Sequence, residues 1–273
     1  MRALHWLWKK YSILFTTEWA MMLAYRAESI IWMIGALVQP FVSMAIWLTI
    51  SIQAGGSIGG YNQNDFIVYF LGVMVVERLT RAWNVWNLEN DIREGTFTPK
   101  LLRPFNPVHW EINQNLVYKF FYAVLLAPTW VLVAWIFPET RIQVDLVSMG
   151  WFLIAILISS VLRFVICHLF GMMSFWTSRA LSMYMVFEML HFFLAGRIAP
   201  MSLFPAWLSE MNQWLPFYGS VGLPVDLISG RLMGHTDLII QGILVLTAWT
   251  VALIGLSVWQ WRAGLKQYGA IGG

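Results

Sequence analysis

The chain has 273 residues, 59% of them hydrophobic and 11% charged, with a net charge of +3. Soluble domains carry about 25% charged residues, so this composition excludes an ordinary soluble globule and indicates a membrane protein. A span takes roughly 20 predominantly apolar residues, which leaves room for about six spans and for no separate soluble domain, so residues 1–273 read as a single transmembrane domain.

At the N-terminus Leu4, Leu7, Trp8, Tyr11, Leu14 and Phe15 recur at helical spacing with His5, Lys9, Ser12 and Thr16 between them, the pattern of a helix lying in the membrane interface. Nothing there resembles a cleaved signal peptide. A first span is expected over Ser29 to Ile52, followed by the Gly-rich stretch Gly55 to Gly60 as a flexible outer loop. A second is expected over Phe66 to Trp83, a third over Leu116 to Phe137 and a fourth over Met149 to Trp176. A fifth starts near Leu181 and a sixth covers Leu238 to Trp261. Most of the 17 Trp and nine Tyr flank these runs, as in the aromatic belts of the two membrane interfaces.

Lysine and arginine set the orientation through the positive-inside rule. Arg2, Lys9, Lys10 and Arg26 precede or open the first span, and Arg78, Arg81, Arg93, Lys100, Arg103 and Lys119 are assigned between the second and third. Arg179 falls between the fourth and fifth, and Arg262 and Lys266 after the sixth. With six spans all of these lie on one side, against Arg141, Arg197 and Arg231 on the other, so both termini are expected in the cytoplasm. Basic residues placed beside spans rather than along one soluble face argue topology, not nucleic-acid binding.

Between the second and third spans, Glu89 to Pro104 forms a charged element: a short polar helix stopping at Gly95, then a Pro-punctuated return through Leu101-Leu102-Arg103-Pro104. It reads either as a docking knob for a partner groove or as a solvated loop. Between the fifth and sixth, Ala195 to Asp237 is too long for a turn and carries Pro200, Pro205, Pro216 and Pro224 among Phe204, Trp207, Leu208, Trp214, Leu215 and Phe217. Each apolar piece is too short to cross, so the expectation is short helices dipping into the outer leaflet against the bundle, with an amphipathic outer loop as the alternative.

No G-x-x-x-x-G-K-[ST] is present, so nucleotide phosphates are not bound here through a P-loop and any ATPase is another chain. Charged groups at membrane depth are costly and therefore informative: Arg163 in the fourth span, with His168 nearby, and Glu188 and His191 in the fifth. Glu188 is placed to pair with Arg163 or His168, either as a structural ion pair or as part of a proton relay or substrate contact. His109-Trp110-Glu111 lacks the spacing of a metalloprotease motif, and His109 reads as a headgroup-level residue. The single cysteine, Cys167, permits no intrachain disulfide and no cysteine-based metal cluster, and reads as a small packing residue.

The segments Ile92-Arg93-Glu94-Gly95-Thr96, Leu101 to Pro107, Ile198 to Leu208, Leu215-Pro216-Phe217 and Tyr268 to Gly273, in that order, resemble the membrane subunit of bacterial type-2 ABC exporters. The resemblance covers nearly the whole chain. It implies an all-α polytopic fold with an interfacial N-terminal helix, six transmembrane helices, a cytoplasmic coupling helix between spans two and three, and re-entrant outer helices between spans five and six. It further implies that Glu89, Asp91, Arg93, Glu94, Gly95, Thr96, Leu101, Leu102, Arg103 and Pro104 form the ATPase-coupling element. Pro200, Phe204, Pro205, Trp207, Leu208, Pro216 and Phe217 would mark the re-entrant region. The expected partners are two cytosolic ATPase subunits, which would hold ATP and Mg, a second permease, identical or related, and membrane lipids. No cofactor is expected on this chain, and the setting would be the bacterial inner membrane. The main functional expectation is export of an amphipathic molecule; a lipid-modifying membrane enzyme or an ion-coupled secondary transporter is the alternative.

Overall fold

A computed structural model of the chain describes residues 2–136, 138 and 144–268; of the sequence expectations, those on Phe137, Arg141 and residues 269–273 lie outside this range, as do the side chains of Leu4, His5, Leu7 and Trp8. The architecture is helical apart from one small ribbon. Helix α1 (Arg2–Ala24) and helix α2 (Arg26–Gln53) are separated by Tyr25 alone. The expected interfacial helix is α1, and it lies along a later helix, α6 (Pro107–Ile136), through edge and tilted ring contacts of Phe15 and Trp19 with Phe120 and Phe121. Tyr11 Oη and His109 Nδ1 are hydrogen-bonded at 2.6 Å across the same seam.

The Gly-rich stretch expected as a flexible loop closes instead into a hairpin of β1 (Ser57–Ile58) and β2 (Tyr61–Asn62), antiparallel with Ser57 opposite Asn62. Gly59 and Gly60 between the strands both have positive φ, a conformation open to glycine at little cost. Asn62 and Asp65 then form a reciprocal capping box that starts α3 (Gln63–Thr80). Phe66, Tyr69, Phe70, Val73 and Val76 of α3 are all buried, and the helix is enclosed by α2, α6, α7 (Leu146–Met172) and α11 (Gly222–Ile228). A helix buried on nearly all sides belongs in the centre of a bundle, with its few charges answered there.

Helices α4 (Asn84–Arg93) and α5 (Phe97–Leu101) join α3 to α6, and α7 continues through a 3-10 turn at Met173–Phe175 towards α8 (Ala180–Leu194). A 3-10 turn at Met201–Leu203, the short helices α9 (Ala206–Asn212), α10 (Pro216–Ser220) and α11, and finally α12 (Thr236–Gln267) complete the chain. The expected spans and the observed helices coincide in position, with the third starting earlier, at Pro107, and the sixth running later, to Gln267.

Among the described residues four helical segments are long and apolar enough to cross a membrane: Arg26–Gln53, Pro107–Leu132, Leu146–Phe175 and Thr236–Gln267. The helices at the expected second and fifth spans fall short of that measure for separate reasons. In α3 the 18 residues include Asp65, Glu77 and Arg78, while α8 has only 15 residues. Large apolar side chains such as Ile31, Trp32, Val131, Leu157, Val251 and Trp259 are exposed on the long helices, the surface of a protein solvated by lipid. The chain is an all-α, multi-pass membrane protein.

Two basic residues assigned to the connection between spans two and three lie inside helices. Arg78 is buried in α3, where it donates to Tyr118 Oη at 2.6 Å and sits over the Tyr122 ring, and Lys119 is in the middle of α6. An aromatic face can take an arginine out of the aqueous loop, which a count of charges alone does not register.

Close packing of α4 on α7 depends on Gly171, where a Cβ would come within 3.2 Å of both Val85 Cα and Leu88 Cδ2. Gly171→Val is expected to force the helices apart and destabilise the protein by about 1–3 kcal/mol, the usual range for overpacking. Thermal unfolding of the purified chain in detergent, compared with Gly150→Val on an open face, checks this.

Candidate functional site

The element between α3 and α6 has a packed inner side and an exposed tip. Val85, Leu88 and Ile92 recur at helical spacing on α4 and are buried; Leu88 and Ile92 cluster with Phe97, Met172 and Phe175, against which Leu101, Trp261 and Tyr268 pack. The turn between α4 and α5 is made by Glu94 and by Gly95 at φ +73, and Gly95 N–H donates to Ile92 O at 3.3 Å, a glycine helix stop. Asp91 holds the turn from within, accepting from Lys100 Nζ and, at 3.0 Å, from Thr96 Oγ1.

The ten residues expected to couple to an ATPase therefore separate. Glu89 is buried and accepts a hydrogen bond from the Leu181 backbone N–H, in the first turn of α8. Asp91 braces the turn, Gly95 makes it, and Leu101 joins the apolar cluster. Arg93, Glu94, Thr96, Leu102, Arg103 and Pro104 form the exposed tip, with Leu102 81% exposed. The leucine pair is thus divided, one inward and one outward.

A second constellation lies inside the bundle. Arg163 on α7 makes a bidentate pair with Glu77 on α3, Nη1 to Oε2 at 2.6 Å and Nη2 to Oε1 at 3.2 Å, and also donates to Thr80 Oγ1 at 3.1 Å and to Glu188 Oε1 on α8 at 3.3 Å. Arg197 closes the figure, with Nη1 at 3.2 Å from Glu188 Oε2 and Nη2 at 3.4 Å from Glu77 Oε1. Tyr184 Oη donates to Glu188 Oε1 at 3.0 Å. Two guanidiniums and two carboxylates alternate, which is how charge is tolerated away from water.

Of the two partners expected for Glu188, Arg163 is bound and His168 is not. His168 is five residues beyond Arg163, about 140° around α7, and so meets Glu111 of α6 instead, Nδ1 to Oε2 at 2.9 Å. Asn84 Nδ2 donates to the same Glu111 oxygen at 3.2 Å. His191 turns to Ser220 Oγ at 2.8 Å, linking α8 to α10. Glu77, Glu111 and Arg197 were absent from the sequence-based candidates. The criterion that singled out Arg163, an ionisable residue within an apolar run, applies equally to Glu77. Arg197 reads in sequence as an outer-loop cation, but backbone contacts draw it inward. Gln39 Nε2 donates to Arg197 O at 3.2 Å, Trp47 Nε1 to Ile198 O at 2.8 Å and Tyr69 Oη to Gly196 O at 2.7 Å.

The segment between α8 and α12 is a set of short helices against the bundle. Pro200 is buried, Phe217 stacks on Phe187 at 5.8 Å, and α10 and α11 pack on α7, whereas Pro205 and Trp207 of the α9 region are exposed and Phe204 and Leu208 are half-buried. Pro216 opens α10 at its first turn. Beside it lies a cavity of about 520 Å³ lined by Tyr61, Tyr218, Asp226 and Arg231. Tyr218 Oη donates to Asp226 Oδ2 at 2.7 Å, while Asp226 Oδ1 is buried without a partner among the described residues. Burial pushes the Asp226 carboxyl up to about 6, against the opposing influence of the Tyr218 hydrogen bond and Arg231. Burial likewise lifts the Tyr61 phenol to about 12.

Removing one member of the charge network strands its partners: Arg163→Met is expected to cost about 3–5 kcal/mol, read as a lowered unfolding midpoint in detergent, with Glu77→Gln/Arg163→Met recovering part of the loss. For Asp226, folding raises the carboxyl from 3.8 to about 6, so the folded chain takes up the proton first and gains stability as pH falls from about 6 to about 4. The unfolding midpoint of Asp226→Asn relative to the unsubstituted chain is therefore expected to be most favourable at about pH 7 and to decline by about pH 4.5.

Comparison with known proteins adds the last observation. No curated protein and no solved structure matches the chain. A family model described as ABC-2 family transporter protein matches residues 37–272, which takes in the whole α4–α5 element, the charge network and helices α9 to α11. With most of its length so matched and with the helical membrane fold above, the chain belongs to the ABC-2 family of transporter proteins and is a membrane permease of an ABC transporter.

Proposed function

We propose that the chain is the permease subunit of an ATP-driven exporter of amphipathic molecules, a class that includes lipids, glycolipids, peptides and natural products. It works with two cytosolic ATPase subunits that hold ATP and Mg, and with a second permease, identical or related. The carrying observation is the tip of the α4–α5 element, where Arg93, Glu94, Leu102 and Arg103 are exposed on a turn held rigidly from behind by Asp91, Lys100 and Thr96. An exposed leucine among charges is the composition of a docking knob, and packing of Leu88 and Ile92 against the ends of α7 and α12 would pass its movement into the bundle.

In this reading α3 and α8 complete six crossings. The charges of Glu77 and Glu188 are answered inside the bundle, which removes the main cost of placing these helices in a membrane. Helices α10 and α11 dip into the outer leaflet as re-entrant elements. The lysine and arginine distribution supports a bacterial plasma membrane location with both termini cytoplasmic and the α4–α5 tip facing the ATPase. Mutual pairing of Glu77, Arg163, Glu188 and Arg197 favours a structural role for the network over an ion-coupled transporter.

Purification from native membranes in mild detergent tests the reading. The unsubstituted chain is expected to bring down a Walker-motif ATPase in stoichiometric amount. Glu94→Arg or Leu102→Asp, both on the exposed tip, is expected to lose that ATPase or its coupled transport while keeping the same unfolding midpoint. Retention of normal coupled transport in both variants removes the assigned role.

A further inference from the structure

A second cavity, about twice the volume of the one beside α10, lies apart from the four-residue charge network, with His168 and Trp261 in its wall. Helix α7 packs along α12, α6 packs on α1 and α3, and the space left between them is a cavity of about 1010 Å³. Small-molecule sites run to roughly 300–1,000 Å³, so this space stands at the upper end of that range. From Leu153 to His168 it follows α7 for about 22 Å, more than the roughly 15 Å hydrocarbon depth of one leaflet and so long enough for an acyl chain. Leu116, Phe120, Leu153, Leu157 and Val258 line it and are themselves exposed, so it opens sideways, where a membrane protein meets hydrocarbon.

Its charged residues are all of one sign. Lys119 and Arg262 line the wall, no aspartate or glutamate does, and the histidines are His109 and His168. Glu111, which meets the lining His168, is buried and engaged by His168 and Asn84. Among the described residues neither Lys119 nor Arg262 makes a hydrogen bond or an ion pair. Lys119 is the more telling. It stands about 18 Å along α6 from Pro107, three residues inside the expected third span, where an ammonium without a counter-charge must shed its proton or meet an anion from outside the chain. Arg262, His109 and Asn106 gather at the end nearest α4–α5, and Leu153 and Leu157 lie towards the other. The occupant that fits a cationic end and a long apolar flank is an acidic headgroup with an acyl chain.

We infer that the cleft between α6, α7 and α12 is a binding site for an anionic glycerophospholipid, entered sideways from the bilayer, with the cations Arg262 and Lys119 in its wall favouring an acidic headgroup and the α7 face holding an acyl chain. This goes beyond the transport reading, since occupancy is measured without ATP and whether or not the bound lipid is itself transported.

Native mass spectrometry of the full chain, purified with whatever subunits accompany it and stripped of lipid, provides the test. The probes are phosphatidylglycerol and phosphatidylcholine with identical acyl chains. The expected result is one tightly held phosphatidylglycerol, favoured over phosphatidylcholine by about tenfold, the weight of one charge-assisted contact. Lys119→Gln and Arg262→Gln each reduce that preference; Arg262 is exposed, so its variant keeps the test readable if loss of Lys119 disturbs folding. Leu157→Trp, which fills the cleft, lowers retention of both lipids. Equal retention of the two lipids by the unsubstituted chain, or an unchanged preference in both charge variants, overturns the proposal. So does disulfide cross-linking of two copies through Leu157→Cys, which would show that a second permease covers the cleft. Failure of the ATPase to co-purify bears on the proposed function alone and leaves this result untouched.

Discussion

The fold is organised around charge that cannot reach water. Glu77, Arg163, Glu188 and Arg197 come from α3, α7, α8 and the segment after α8, and each guanidinium meets both carboxylates. A buried pair is no large source of net stability, because desolvation consumes most of its Coulomb energy. Its force lies in what it forbids: any packing that separates one of these four segments leaves a bare charge in the interior. The register of α3 against α7, the placement of α8 and the inward turn at Gly196 follow from that prohibition. Tyr69 Oη would lie 2.6 Å from a Cβ at Gly196, so the turn after α8 can pass close to α3 only because that residue has no side chain.

The same helices connect the two ends of the protein. Glu89, on the inner side of α4, meets the first turn of α8, and at the far end of α8 His191 meets Ser220 of α10. Between them Glu188 ties α8 to α7 and α3. The α4–α5 element is thus joined to α10 through one short helix of 15 residues rather than through a loop. Contiguity of this kind is a physical route for coupling and is distinct from a measured coupling energy.

Helix α7 divides the interior. Residues Leu157 and Val161 lie on one face and Arg163 nearly opposite Val161, since two residues turn a helix by about 200°. One face therefore enters the charge network and the other borders the open apolar cleft. Arg163 is silenced by carboxylates while Lys119, across the cleft on α6, has none. The contrast separates a cation used for packing from a cation left available.

Much of this was legible in the sequence because hydrophobic length and periodicity act locally. Apolar runs placed the helices, Gly95 marked a boundary through its own backbone chemistry, and the resemblance carried by Arg93 to Thr96 and by the proline-rich segment pointed to the family, whereas the Asn62–Asp65 capping box emerged only in the structure. Inward or outward direction within those stretches was not legible. Leu101 and Leu102 are chemically the same and differ only in where the α5 turn leaves them, one against Leu88 and one in the open. His168 met Glu111 rather than Glu188 because of its angle around α7, and Arg197 left the outer loop because Gln39, Trp47 and Tyr69 hold the backbone on either side of it. The sequence by itself determined which segments are apolar enough for lipid and which residues interrupt them, since those are sums over neighbours along the chain. Tertiary structure alone decided which charges answer one another and which cation stays unanswered, since that depends on helices 86 residues apart in sequence meeting at 2.6 Å.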